Sequence, residues 1–229
     1  MKPLRGFLYT LSFESEPDLV PSPEAELVVV LSEDPWNQIM GDSVIVPIYH
    51  SDEPPNTVIQ PSFDDSRYAD TTRIQTVDQG FLGDLVGQCP REVLAAIGAG
   101  VRAYFDLDGL TNKTIRRPPS IGRPTFWPHQ RDVYWGTRYG EQRERYAVVS
   151  EDEFNIRAER CTTMFLTSRD KAWRTRWQVP RAAGFVIAGD IIPFQHAELD
   201  SRSRPTPQTL TRDEMAEVAV AVIETLELS

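Results

Sequence analysis

The run Trp173-Arg174-Thr175-Arg176-Trp177 puts two guanidinium groups and two indoles within five residues. As a strand it would turn both tryptophans to one face and both arginines to the other. Such a surface can stack unpaired bases and hold phosphates, the usual grip on single-stranded RNA. The run is equally satisfied by a tryptophan pair packed in a core with the arginines in solvent. Arg143 and Arg145 lie upstream, where a phosphate contact and a solvated strand edge are both open, and residues 131–181 carry 11 Lys and Arg against 8 acids. The carboxylate pairs Glu33-Asp34 and Glu151-Asp152 have the residue types of general acid–base catalysis. Their position after a β-branched run, beside Asn37 and Asn155, predicts turn capping instead. Cys89 and Cys161 are far apart, and His50, His129 and His196 are scattered. That spacing predicts two buried thiols, no disulfide, no metal site and no cofactor.

The elements that must position these side chains come from a chain of 229 residues with a net charge of −10 and a pI near 4.8. That surplus excludes a protein that coats nucleic acid by bulk electrostatics. It is unevenly spread: residues 1–117 hold 9 basic and 18 acidic side chains, whereas residues 118–229 hold 15 and 16. Segment 12–26 contributes five acids and no base. It reads as a solvated, proline-bearing loop, or as a mimic of RNA or of an acidic protein tail lying against the basic half. The longest apolar runs, such as residues 27–31, are strand-sized, so no membrane span is expected. No apolar stretch follows Lys2 and Arg5, which predicts no secretory leader and a cytoplasmic location.

The chain repeats itself. Residues 28–37 read Val-Val-Val-Leu-Ser-Glu-Asp-Pro-Trp-Asn, and residues 146–155 read Tyr-Ala-Val-Val-Ser-Glu-Asp-Glu-Phe-Asn. Arg5-Gly6-Phe7-Leu8-Tyr9 resembles Arg131-Asp132-Val133-Tyr134-Trp135, and the strand 43–48 matches 162–166. Each copy then ends in an amphipathic helix. Pro90 opens the first, with Val93, Leu94, Ile97, Val101, Tyr104 and Phe105 at helical spacing. A capping box of Thr211 and Glu214 opens the second, with Met215, Val218, Val222, Ile223 and Leu226 on its apolar face. The prolines and glycines of 109–130 have linker composition. The expected division is a unit over 1–110, a Pro-rich linker over 111–130 and a second unit over 131–229. A tandem repeat of this size predicts a pseudo-dimeric monomer, since fusing a two-fold dimer keeps an interface that already works.

These motifs resemble the MazF/PemK/Kid family of toxin endoribonucleases, which share a fold with the gyrase poison CcdB. The first copy offers Arg5-Gly6, Ser32-Glu33-Asp34-Pro35-Trp36-Asn37 and Thr72-Arg73-Ile74-Gln75-Thr76-Val77-Asp78. The second offers Arg131 to Trp135, Ser150-Glu151-Asp152-Glu153-Phe154-Asn155 and Phe165-Leu166-Thr167-Ser168. The resemblance implies an α+β chain of two SH3-like β-barrels, each with a C-terminal helix. It also implies metal-free cleavage of single-stranded RNA by the neighbouring 2′-hydroxyl, and an antitoxin partner. An arginine before the second strand would stabilise the phosphorane, and a threonine at the end of the third would orient the phosphate.

Carried over residue by residue, the threonine position is Thr167. The ungapped arginine position is Glu144, so a one-residue adjustment would bring in Arg143 or Arg145. Ser168, Arg169, Trp173, Arg174 and Arg176 would contact the RNA. In the first copy the same positions are Glu26 and Tyr49, which predicts a catalytically empty unit. The loop before the second strand is shorter in the second copy, 19 residues from Arg131 to Ser150 against 27 from Arg5 to Ser32. Two alternatives stand beside the nuclease: a MazF-fold regulator of a phage or mobile element that binds without cleaving, and a CcdB-like gyrase inhibitor. The second relies on a tryptophan near the end of the terminal helix, where this chain has Leu226-Glu227-Leu228-Ser229.

Overall fold

The computed structural model describes residues 2–12, 25–112, 128–136, 144–158, 160–167, 178–181, 184–196, 199 and 208–228. They fall into two compact units, Met1–Ala103 with Ile223–Ser229, and Tyr104–Val222. The chain thus changes unit at the end of one helix and again within another, not in the Pro-rich segment.

In the first unit, strands β1 (Phe7–Leu11), β2 (Ala25–Val30), β3 (Asp42–His50), β4 (Arg67–Ala69), β5 (Gln75–Asp78) and β6 (Leu82–Gln88) form one antiparallel sheet in the order β4-β3-β2-β1-β6, with β5 also on β3. Residues 28–31 and 44–46 are wholly buried on both faces, which is why these segments read as continuous apolar runs rather than alternating ones. Tyr9, Leu11, Val28, Val30, Ile45, Tyr49 and Val77 make the core on one side of the sheet. Between β2 and β3 the chain makes α1 (Asp34–Met40), with Pro35 in its first turn and Gly41 at φ +77° ending it. The predicted turn after Ser32 is therefore a short helix. Helix α2 (Arg91–Tyr104) buries Ile97, Val101 and Tyr104, the stripe its sequence predicts.

In the second unit, β7 (Asp132–Gly136), β8 (Glu144–Val148), β9 (Arg160–Thr167), β10 (Gln178–Arg181), β11 (Gly184–Gln195) and β12 (Gln208–Thr209) form a second antiparallel sheet, ordered β10-β11-β9-β8-β7-β12. Helix α3 (Leu107–Asn112) occupies the start of the expected linker, and α4 (Asp152–Ala158) joins β8 to β9. Helix α5 (Arg212–Thr225) opens with the predicted capping box: Thr211 N–H donates to Glu214 Oε2 at 2.7 Å, and Glu214 N–H donates to Thr211 Oγ1 at 3.2 Å. Tyr134, Tyr146, Val148, Cys161, Ile192, Phe194 and Leu199 form this unit's core.

Each sheet follows an open path, and among the described residues its end strands do not pair with each other. The architecture is α+β with antiparallel sheets; the closed SH3-like barrel expected from the resemblance is not formed by this pairing. No described helix is long and apolar enough to cross a membrane. Cys89 and Cys161 are free and buried, as expected, and burial raises the Cys89 thiol to a pKa of about 11.

Candidate functional site

One buried hydrogen-bond clamp recurs in both units. Ser32 Oγ donates to Asn37 Oδ1 at 2.6 Å, Asn37 Nδ2 donates to the Ser32 carbonyl at 3.0 Å, and Val44 N–H donates to Ser32 Oγ at 2.9 Å. In the second unit Ser150 Oγ donates to Asn155 Oδ1 at 2.5 Å, Asn155 Nδ2 donates to the Ser150 carbonyl at 3.2 Å, and Thr162 N–H donates to Ser150 Oγ at 2.9 Å. The clamp fixes where β3 and β9 begin, and so where their far ends, at Tyr49 and Thr167, arrive. The neighbouring carboxylates serve the same framework. Asp34 Oδ1 accepts from Arg5 N–H at 2.8 Å, and Asp152 Oδ1 accepts from Gln130 N–H at 2.5 Å. They tie the start of the first strand of each unit to the turn, which accounts for them without acid–base chemistry. At α1 the N-cap residue Glu33 makes no side-chain cap, unlike the turn capping expected there.

The same comparison corrects the alignment of the first strands. Gly6 and Arg131 both have φ +76°, and each donates its N–H at 2.8 Å to the same β position, Val30 or Val148. Gly6, not Arg5, is the counterpart of Arg131. Arg5 instead donates through Nε and Nη2 to the Leu226 carbonyl, both at 3.1 Å, closing the exposed end of α5.

At the candidate site of the second unit, β8 pairs with β9 so that Arg145 faces Leu166 and Tyr146 faces Phe165. Arg145 also sits opposite Trp135 on β7, its guanidinium 5.9 Å from the indole centre. Side chains alternate along a strand. Thr167 therefore shares the face of Phe165, Tyr146 and Glu144, and Arg145 points to the other. Glu144 is fixed on the threonine's side by the Tyr146 hydroxyl, which donates to its Oε2 at 3.4 Å. Thr167 is 8% exposed and has Phe185 across from it on β11. The geometry thus separates Arg145 from Thr167. Arg143, Ser168, Arg169, Trp173, Arg174 and Arg176 lie outside the described residues, as does most of the acidic segment 12–26.

In the first unit the corresponding strand end is differently furnished. Pairing of β2 with β3 slips between Leu27 and Ala25, a bulge at Glu26, so Ala25 rather than Glu26 opposes Tyr49. Tyr68 stands across from Tyr49 on β4, the rings 5.8 Å apart. The turn Thr71–Arg73 that links β4 to β5 swings Arg73 over Tyr49. Its Nη1 donates to the tyrosine hydroxyl at 3.2 Å, and its guanidinium carbon lies 5.2 Å from the ring centre. Burial pushes the Tyr49 pKa up to about 12, against a smaller downward pull from the Arg73 charge. Arg73 belonged to a motif read from sequence but was not assigned to a site. What joins it to Tyr49 is tertiary: β4 and β5 both pair with β3, so the turn between them must pass that strand's end. Among the described residues no three His, Cys, Asp or Glu side chains are grouped to hold a metal ion.

Residues 5–105 match the family model of the PemK-like, MazF-like toxins of type II toxin-antitoxin systems. Residues 5–105 are thus similar in sequence to PemK/MazF-like toxins. No curated protein matches the chain. Among solved structures, a mycobacterial endoribonuclease in complex with its cognate antitoxin is 18% identical, covering 44% of this chain and 92% of its own, with a TM-score of 0.36. The MazE–MazF complex of Deinococcus radiodurans (form II) is 22% identical, covering 46% and 100%, with a TM-score of 0.38. A third crystal form of that complex is 20% identical over 45% and 100%, also at 0.38. The PemK/MazF-like segment is the half whose threonine position holds Tyr49, not the half that carries Thr167.

Proposed function

We propose that the chain is a toxin-like, metal-independent endoribonuclease, built as two diverged copies of a MazF-type unit, that cleaves single-stranded RNA by 2′-hydroxyl attack at one site in the second copy. The observation that carries the reading is the family match over 5–105, together with the buried clamp that recurs 118 positions later. Thr167 orients the phosphate. Arg143 or Arg145 stabilises the phosphorane; Arg145 is held beside Trp135 on the face of β8 away from Thr167, so either must reach the phosphate from the strand's open end. Ser168, Arg169, Trp173, Arg174 and Arg176 follow Thr167 closely in the chain and would hold the RNA strand. An antitoxin would be the natural protein partner, and the cytoplasm, where RNA is, the natural location.

Purified protein incubated with single-stranded RNA in EDTA tests this. Cleavage leaving 2′,3′-cyclic phosphate ends, lost on Thr167→Ala and on Arg143→Ala or Arg145→Ala, supports it. RNA left intact across many sequences overturns it.

One observation favours a second reading, a binding protein that no longer cleaves. The position facing Thr167 across β8 and β9 is Glu144, and a carboxylate there opposes a phosphate rather than stabilising it. RNA bound but never cut is the outcome that selects this reading.

A further inference from the structure

We infer that the first unit, empty of the family's catalytic residue types, holds a phosphate-binding site for single-stranded RNA built from Arg73 and Tyr49, with Tyr68 as the neighbouring base platform. The inference rests on RNA being the ligand and concerns a site that the cleavage chemistry does not use.

The argument is one of uncommitted donors. A guanidinium has five N–H groups in a planar fork. One on Nη1 goes to the Tyr49 hydroxyl at 3.2 Å. Nε lies 3.4 Å from Asp70 Oδ2, close enough for an ion pair but not bonded. The remaining Nη1 hydrogen and both on Nη2 meet no acceptor among the described residues, and the side chain is 35% exposed. Tyr49 accepts from Arg73 and keeps its own proton, which burial holds far above neutral pH, so the hydroxyl can donate outward. Two adjacent groups with donors to spare, one of them a permanent cation that cannot accept, define an anion site, and the fork matches two phosphate oxygens.

The support is rigid. Asp70 Oδ1 accepts from Thr72 N–H at 3.0 Å and from its hydroxyl at 2.6 Å, which leaves Oδ2 facing Arg73. Nearby, Arg67 is paired with Asp64, its Nε donating at 2.8 Å, and stacks on Phe63 at 5.0 Å. Two arginines against two aspartates leave the patch nearly neutral. Binding there is by directed hydrogen bonds and stacking, not by bulk charge, as a chain of net charge −10 requires. An aromatic ring 5.8 Å from Tyr49 favours a nucleotide over a bare carboxylate.

The test uses the full chain and a 2′-O-methyl RNA oligonucleotide, which binds but cannot be cut. Arg73→Gln is expected to weaken binding about tenfold and Tyr49→Phe about threefold. The slope of log affinity against log salt should fall by about 0.7 for Arg73→Gln, one phosphate contact on a single strand. Arg73→Lys should restore the salt slope but not the full affinity, and it replaces Arg73→Gln if that variant melts early. Unchanged affinity and slope in Arg73→Gln, Arg73→Lys and Tyr49→Phe overturn the inference while leaving cleavage intact. So does Arg73-dependent capture of a polyglutamate peptide in place of RNA. Conversely, Arg73-dependent binding by a protein that never cuts RNA sinks the nuclease and keeps this site.

Discussion

The two units share their buried polar framework and differ in what stands at the end of one strand. Ser32 with Asn37 and Ser150 with Asn155 make the same bonds to within 0.2 Å, yet near its end β3 carries Tyr49 under an arginine, whereas β9 ends on Thr167 beside a glutamate. The difference teaches that the framework and the strand end are under separate physical constraints. A buried serine whose oxygen both donates and accepts cannot change without orphaning a partner. A residue at a strand's open end can change as soon as its ligand does.

That comparison breaks most easily at the site. Thr167→Ala should cost at least about 100-fold in RNA cleavage measured in EDTA. Tyr49→Phe, its structural counterpart, should cost no more than its share of binding. Equal losses would mean that the two strand ends do the same work.

The framework should respond symmetrically. Asn37→Ala leaves the Ser32 hydroxyl and carbonyl short of a partner, and Asn155→Ala does the same to Ser150 and to the Pro128 carbonyl. Each is expected to lower unfolding stability by about 1–3 kcal/mol in urea titrations. A neutral result in one unit would sharpen the view that its clamp is a relic.

Alkaline pH separates the strand ends again. Tyr49 has its pKa raised to about 12 from 10.0. Its contribution is fully present below pH 10 and is lost as pH rises towards 12, on the order of 2 kcal/mol. Tyr104 and Tyr134 are raised as well, chiefly by burial. Tyr49→Phe should therefore flatten, not abolish, the fall in stability across that window.

The smallest effect concerns Gly6 and Arg131, which share φ +76°. A left-handed conformation costs a side-chain-bearing residue about 1 kcal/mol. Gly6→Ala should destabilise, more so because the added Cβ would lie 3.1 Å from Leu94 Cδ2. Arg131→Gly should relieve strain and give a small gain, read as a shift of melting temperature.

Much of the framework was legible in the sequence, because Ser-Glu-Asp, an aromatic and Asn recur at one spacing and the helix stripes and capping box are local. The first-strand alignment was not: the shared arginine of Arg5 and Arg131 outweighed the backbone conformation that Gly6 and Arg131 actually share, and φ leaves no mark on an arginine. The short α1 and α4 were hidden by reading acids and proline as turn formers when the same residues open helices. At the site, Thr167 could be counted to, but whether Arg143 or Arg145 accompanies it stayed open, since one residue along a strand is a change of face. Arg73 was invisible because its partner lies 24 positions away and is reached through two strand pairings.

Glu33 N–H donates at 2.9 Å to the carbonyl of Thr225, and Arg102 Nη1 donates at 2.9 Å to that of Leu228. Residues 1–103 thus wait for residues 223–229 before their unit is whole. On the ribosome the early sheet would stand unfinished while residues 104–222 are made, exposed to chaperones and proteases. A protein assembled this way would complete its first unit only after the second has been translated, giving any partner that binds the nascent chain time to arrive first.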